Sequence, residues 1–232
     1  MIVFGLLLLV GGAAQAAGEL KGRLVGFENL RPSTIPSASA GAHLYTLREF
    51  DPLVPAKYAN PSPNAEDDLV VAVYGAGDAS AFGGQQIVRL AGARAVPGTS
   101  VIPQAVPVIF RNDDPFTHHL SGPDVDRDLK PGETHRAELK GRGVYVFSDP
   151  IYPSVKAWIV VDDGVIADRA PALDGSIKIP LEGNTYTFKV FFEGQQKASL
   201  NDFKVSDKGT TDAKDIQVGP TSAAPAPSGS GK

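Results

Sequence analysis

The chain has 232 residues, of which 42% are hydrophobic and 21% charged, with a formal net charge of −4. This length and composition allow one large β domain or two small ones, and the acidic balance gives no electrostatic reason to expect nucleic acid or an anionic membrane surface as a partner. The absence of cysteine excludes disulfides, thiolate metal sites and thiol nucleophiles.

The N-terminus is typical of a secretory signal peptide. An uncharged start contains the apolar run Ile2–Val10, and Ala14-Gln15-Ala16 matches a small-x-small cleavage pattern, although no basic residue precedes the apolar run. We predict a signal peptide over residues 1–16, export to the periplasm or the exterior, and no membrane span once it is removed. The alternative is an uncleaved membrane anchor.

The following 150 residues or so predict a β domain over residues 17–163. Short runs rich in β-branched residues alternate with glycine- and proline-containing turns, which favours an all-β sandwich or barrel. Its predicted strands are Glu19–Gly26, Leu69–Tyr74, Gln86–Leu90, Ser100–Ile102, Val106–Arg111, Val144–Phe147 and Lys156–Val161. Residues 31–67 are rich in proline and predict a long irregular insertion with one short helix near His43–Phe50, either solvated or a partner-binding arm.

A small β module is predicted over residues 164–206. Asp174-Gly175 is a turn signal, and the predicted strands Ser176–Pro180, Thr185–Glu193 and Leu200–Val205 follow it. The Asp-Gly, Ile-Pro and Gly-x-Thr-Tyr-Thr pattern resembles transthyretin-like or carboxypeptidase-regulatory modules. Phe191 and Phe192 lie on opposite faces of their strand, and one of them covers the domain junction or contacts a partner. Residues 207–232 are expected to be a disordered tail.

Four motifs in the first domain occur in a familiar order. Asn112 precedes Phe116-Thr117-His118, and Leu129-Lys130-Pro131-Gly132 forms a turn before the strand Gly143–Phe147. This order resembles the cupredoxin family, and within it the methylamine-utilisation type of periplasmic copper protein. The resemblance implies an all-β, Greek-key β-sandwich, followed here by the small C-terminal β module.

The same resemblance implies that the copper ligands are lost. Cupredoxins hold copper with histidine, cysteine, a second histidine and usually methionine. In the register that aligns the final strand, Asp149, Tyr152 and Val155 occupy the last three positions; a slip of one residue puts Ser148 at the cysteine position. Only His118 remains, and the single methionine is Met1.

The candidate site is therefore His118, Asp149, Tyr152 and His119. One interpretation is a vestigial packed cluster without cofactor, in which His118 hydrogen-bonds to Asp149 or Tyr152. The other is a weak Cu(II) or Zn(II) site formed from these residues. Adjacent histidines in a strand point to opposite sides, so His118 and His119 are not expected to bind one ion together.

Two further patterns give no catalytic or calcium site. Asp124, Asp126 and Asp128 alternate, which places them on one solvent-facing side of a strand, but the glycine and glutamate of an EF-hand loop are missing. Ser148 and Asp149 lack the context of a nucleophile elbow. We therefore expect no enzymatic activity.

The predicted function is an exported, non-enzymatic β-sandwich protein of the cell envelope with a structural or interaction role and a degenerate copper site. Its expected partner is another envelope protein. The alternatives are a periplasmic metal-binding protein that uses His118, and a carrier or sensor whose insertion at 31–67 grips a partner.

Overall fold

The structure is a computed structural model, and it describes residues 18–30, 32, 63–77, 82 and 84–219. The expected signal peptide, the helix near His43–Phe50 and nearly all of the 31–67 insertion lie outside the described residues. No helix in the described ranges has the length and apolar character needed to cross a membrane.

The described chain is built almost entirely of strands, as the sequence predicted. The elements are β1 (Gly18–Val25), a 3-10 turn (Phe27–Asn29), α1 (Ala65–Asp68), β2 (Leu69–Tyr74), β3 (Gln86–Ala91), β4 (Arg94–Val96), β5 (Thr99–Ile102), β6 (Val108–Asn112), β7 (His118–Gly122), β8 (Val125–Leu129), β9 (Thr134–Ala137), β10 (Gly143–Ser148), β11 (Lys156–Val161), β12 (Val165–Arg169), β13 (Ser176–Leu181), β14 (Asn184–Phe192), β15 (Gln195–Val205) and β16 (Thr210–Gln217). The all-β fold class is confirmed.

The inserted sandwich, as we call it, is formed by β3 to β11. One sheet has the order β5-β11-β10-β7-β8 and the other the order β4-β3-β6-β9. Their facing sides enclose a core in which the rings of Phe110 and Phe147 pack with centroids 4.6 Å apart. Each fully buried side chain of this size contributes about 1.5–3 kcal/mol to stability. The strand Lys156–Val161 lies between two neighbours, as its apolar character predicted.

The host sandwich contains the remaining strands and surrounds the inserted one in sequence. Its sheets have the orders β13-β1-β16 and β12-β2-β14-β15. Their facing sides enclose a second core that includes Leu20, Ile179 and Phe188. The expected first domain over residues 17–163 is therefore wrong in its N-terminal part, because β1 and β2 pair with strands that follow residue 163.

The expected disorder from residue 207 onward is also wrong in its first part. Strand β16 pairs in parallel with β1, with Glu19 opposite Thr210 and Val25 opposite Gln217. Only Ile216 of β16 is buried, so the strand carries little apolar pattern and is held by its backbone pairing. Residues 220–232 lie outside the described part of the chain.

The two sandwiches share a packed junction. Alternate residues of β2 and β14 face different cores: Val70, Ala72 and Phe191 join the core of the inserted sandwich, while Val71 and Phe192 join that of the host. Phe191 thus covers the junction, one of the two roles predicted for this ring pair. Strands β2 and β12 lie against β5, so the host sandwich covers one end of the five-stranded sheet.

Each sandwich contains a tyrosine whose hydroxyl is hydrogen-bonded to backbone carbonyl groups just before the strand that carries it. The hydroxyl of Tyr145 donates to the carbonyl groups of Lys140 and Gly141, and that of Tyr186 donates to the carbonyl of Glu182 over 3.0 Å. This tyrosine-corner arrangement recurs in β-sandwiches, where it fixes the entry into a strand. Tyr145 thereby anchors the strand that leads to the candidate site.

Candidate functional site

Asn112, the last residue of β6, shapes the loop that leads to His118. Its buried side chain donates to the carbonyl groups of Phe116 and Leu129, each over 2.8 Å, and accepts from the backbone N–H of Asp114 over 2.9 Å. One side-chain amide thus satisfies two backbone carbonyl groups and one backbone N–H. The loop consequently places both Asp114 and His118 at one end of the inserted sandwich.

His118, the first residue of β7, is held between two aspartates. It has no solvent exposure, its Nδ1 lies 2.9 Å from Asp149 Oδ2, and its Nε2 lies 2.9 Å from Asp114 Oδ2. Both ring nitrogens are thus within hydrogen-bond distance of a carboxylate oxygen. We call these three side chains the buried triad.

Asp149 is fully engaged by its neighbours. Oδ1 accepts from the backbone N–H groups of Ile151 and Tyr152 over 2.7 and 3.1 Å, and Oδ2 accepts from that of His119 over 3.1 Å in addition to its contact with His118. A carboxylate with several N–H donors is stabilised in its ionised form. Asp149, and not Ser148, therefore faces His118, which selects the first of the two registers considered for this loop.

Asp114 connects the triad to a third loop. Oδ1 accepts from the N–H of Gly92 over 2.7 Å, and Oδ2 accepts from that of Ala93 over 2.9 Å. Burial works against ionisation, but the hydrogen bonds from Ala93, His118 and Gly92 outweigh it and hold the pKa of Asp114 below its ordinary value. The triad thus joins the β3–β4 turn, the β6–β7 loop and the β10–β11 loop.

Both ring nitrogens of His118 are engaged. Each of the two nitrogen–oxygen contacts requires a hydrogen, and neutral imidazole carries only one, so the other is carried by the ring as a second proton or by a carboxyl group. In either state a metal ion would have to displace a carboxyl group before it could reach a ring nitrogen.

Two aromatic rings enclose the triad. The ring of Phe116 lies 4.9 Å from the His118 ring and 4.8 Å from that of Tyr152, and the Tyr152 ring meets the His118 ring edge-on at 5.1 Å. Val155 is buried in the core below. Tyr152 and Val155 therefore contribute packing at the positions where the resemblance would place a histidine and a methionine ligand.

His119 points to the opposite side of β7, as the alternation of a strand predicted. Its Nδ1 lies 2.8 Å from Asp128 Oδ1 and its Nε2 lies 2.7 Å from Asp126 Oδ1. These two hydrogen bonds raise the pKa of His119, with that to Asp128 the larger cause. We call this group the exposed triad, since the side chains of Asp126 and Asp128 are 81% and 67% exposed.

The predicted site residues fall into two groups. His118, Asp149 and Tyr152 converge, whereas His119 belongs to the separate exposed triad. In the described ranges, no group of three or more histidine, cysteine or carboxylate side chains has an arrangement that could hold a metal ion. Sequence reasoning missed Asp114; the available signal was its position four residues before His118, in a loop that begins with Asn112.

Comparison with known proteins gives similarities to solved structures only. A scan against protein-family models found none that matches the chain, and a search of curated proteins found no match. The chain is similar to a copper-containing nitrite reductase from Thermus scotoductus SA-01, with 26% identity and a TM-score of 0.32 over 34% of this chain and 22% of that one. The chain therefore spans less than a quarter of the enzyme's length.

Two smaller proteins are similar over the same share of the chain. Amicyanin from Paracoccus versutus has 10% identity and a TM-score of 0.31, covering 34% of this chain and 81% of that one. A purple cupredoxin from Nitrosopumilus maritimus has 17% identity and a TM-score of 0.31, covering 33% of this chain and 99% of that one. At such TM-scores the likeness decides neither fold nor function, which rest on the contacts described above.

Proposed function

We propose that this chain is an exported, non-enzymatic β-sandwich protein of the cell envelope, with a structural or protein-interaction role and no bound cofactor. Two members of the buried triad, His118 and Asp149, are at positions where the resemblance would place copper ligands, and the triad links the β3–β4, β6–β7 and β10–β11 loops by hydrogen bonds. The observation that carries the proposal is the double engagement of His118, whose two ring nitrogens each lie 2.9 Å from a carboxylate oxygen.

The chemistry of the triad supports a structural role. A copper site of this type requires a thiolate and histidine nitrogens with free lone pairs. Here Asp149 is at the position of the thiolate, and its oxygens make four hydrogen-bond contacts. Both ring nitrogens of His118 lie against carboxylate oxygens. A metal ion would have to break this network before it could bind.

The sequence order of the scaffold supports the cupredoxin-like part of the proposal. Asn112 organises the loop before His118, Asp149 contacts His118 across the sheet, and Tyr145 anchors the strand between them. Export to the periplasm or the exterior is proposed from the N-terminal segment at residues 1–16.

Metal titration tests the proposal directly. Purified full-length protein is titrated with Cu(II), with Cu(I) and with Zn(II), and bound metal is measured by calorimetry and elemental analysis. We expect no tight stoichiometric binding, and any weak binding should disappear in His119→Gln, which removes the accessible ring, but not in His118→Gln. Tight binding of one equivalent that is lost only in His118→Gln would overturn the proposal in favour of a metal-binding protein.

A further inference from the structure

The outward side of the sheet β4-β3-β6-β9 combines arginine with aliphatic side chains. Arg89 lies directly opposite Arg111, and Ile87 directly opposite Ile109, in the parallel β3–β6 pair; Arg136 on β9 lies opposite Ile109. Ile87 is 41% exposed. Like charges placed opposite each other destabilise a sheet, and Asp113 relieves part of this repulsion by pairing with both arginines. We call this surface the basic face.

Two exposed carboxylates lie beside the basic face. Asp113 makes two hydrogen bonds to Arg111, over 2.7 and 3.1 Å, and lies 3.8 Å from Arg89, while Glu138 lies 3.3 Å from Arg136. The four strands of this sheet contain no aspartate or glutamate themselves. Three arginines against these two carboxylates leave the face positive, and Arg89 and Arg136, whose contacts are longer and screened by water, can exchange partners.

The other sheet of the inserted sandwich carries the complementary combination. The host sandwich covers its β5 end, whereas β10 presents Val144 and Val146 to solvent with 52% and 41% exposure. Beyond β7, strand β8 carries Asp126 and Asp128, and the exposed Asp124 lies in the turn before it. Arg127 of β8 points to the other side of the strand, where it lies 3.5 Å from His135 of β9. Three carboxylates beside the imidazole of His119 therefore leave this part of the surface negative. We call it the acidic face.

We propose that the acidic face of one copy of this chain docks on the basic face of a second copy. Aspartates would meet arginines, and Val144 and Val146 would meet the isoleucine pair. The two faces lie on opposite sides of one sandwich, so the contact is head-to-tail and extends into open chains rather than closing as a dimer. This inference rests on the interaction role proposed above and supplies its partner.

Sedimentation velocity of the full-length protein over a wide concentration range tests the inference. At about 0.01 M salt, where charges act over about 30 Å, the weight-average sedimentation coefficient should rise with concentration; at about 1 M salt, where they act over about 3 Å, it should rise much less. A coefficient that stays at the monomer value at every concentration in low salt would overturn the inference.

Two neutralised variants identify the faces. Arg89→Gln with Arg111→Gln removes the basic face, and Asp126→Asn with Asp128→Asn removes the acidic face. Each variant alone should remain monomeric, while an equimolar mixture should form a one-to-one dimer, because one intact face of each kind remains. The matched control, Lys21→Gln with Lys178→Gln on the distant sheet β13-β1-β16, should associate like the unmodified protein.

The outcomes separate this inference from the proposed function. Self-association that is unchanged in both face variants, or a mixture that stays monomeric, contradicts the assignment of the faces. Neither result affects the metal titration, which depends on the buried triad. Circular dichroism and thermal melting of each variant confirm that loss of association is not loss of folding.

Discussion

Two adjacent histidines in this molecule have nearly the same hydrogen bonds and very different surroundings. His118 and His119 each lie between two aspartates, at 2.9 Å on both sides for the first and at 2.7 and 2.8 Å for the second. The ring of His118 has no exposure, whereas the side chain of His119 is 30% exposed and its two partners are mostly in water.

The comparison shows that burial, more than contact geometry, determines what such a triad does. In water, an ion pair is screened and its loss leaves groups that solvent can hydrate. In the interior, the loss of one partner leaves a charge with neither solvent nor counter-charge. The buried triad should therefore control folding of its end of the sandwich, while the exposed triad is available for contacts outside the chain.

The largest expected difference comes from removing each histidine in turn. His118→Gln should lower the free energy of unfolding by about 3–5 kcal/mol, because Asp114 and Asp149 remain buried without the ring that both contact. The matched variant His119→Gln should change it very little, because water replaces the ring. Urea denaturation followed by circular dichroism measures both, and equal losses in the two variants would contradict the comparison.

A second, smaller effect should appear in the pH dependence of stability, through Asp114 of the buried triad. The pKa of Asp114 is held below its ordinary value of about 3.9, so its carboxylate stabilises the fold at higher pH. That contribution is present above pH 4 or so and is lost as the pH falls through the lower, folded-state pKa. Asp114→Asn should melt at a lower temperature at neutral pH.

The measurements at acidic pH decide whether Asp114 has this role. Melting temperature measured from pH 6 down to pH 2 should fall less steeply in Asp114→Asn than in the unmodified protein. If both proteins lose stability with the same slope, Asp114 does not carry the acid sensitivity of the buried triad.

The smallest expected effect is a local one at His119. Hydrogen bonds to Asp128 and Asp126 raise the pKa of this ring above its ordinary value of about 6.5. The raised pKa means that the stabilisation is complete at low pH and is lost as the pH rises through it. Asp126→Asn with Asp128→Asn should return the pKa toward the ordinary value, as followed by NMR of the ring. An unmoved titration would show that the aspartates do not hold the ring in solution.

The local part of the fold could be predicted from the sequence. Alternating or wholly apolar runs such as Leu69–Tyr74 and Lys156–Val161 become strands because a pleated, buried surface suits them. The pairing of β1 with β13 and β16 could not be predicted in this way, because it joins residues far apart in sequence. The sequence of β16 is mostly polar, so its pattern does not distinguish an edge strand of a sheet from a disordered tail.

Part of the candidate site could also be predicted from the sequence. Asp149 could be predicted because the cupredoxin resemblance, aligned on the final strand, puts it at the cysteine position. Asp114 was missed because its role depends on the β3–β4 turn at Gly92 and Ala93, which donates two N–H groups to it from a distant part of the sequence. No local sequence pattern around Asp114 indicates that the backbone of Gly92 and Ala93 lies next to it.

The parallel pairing of β1 with β16 has a consequence for the order of assembly. All strands of the inserted sandwich are contiguous in sequence, so this part can form its sheets as soon as β11 has left the ribosome. In the host sandwich β2 stays unpaired until β12 arrives, and β1 stays unpaired for longer, because it finds its two neighbours only in β13 and β16. During that interval the apolar residues Leu20 and Leu24 are exposed, which makes the early N-terminal strand the part of the chain that needs protection from aggregation during synthesis.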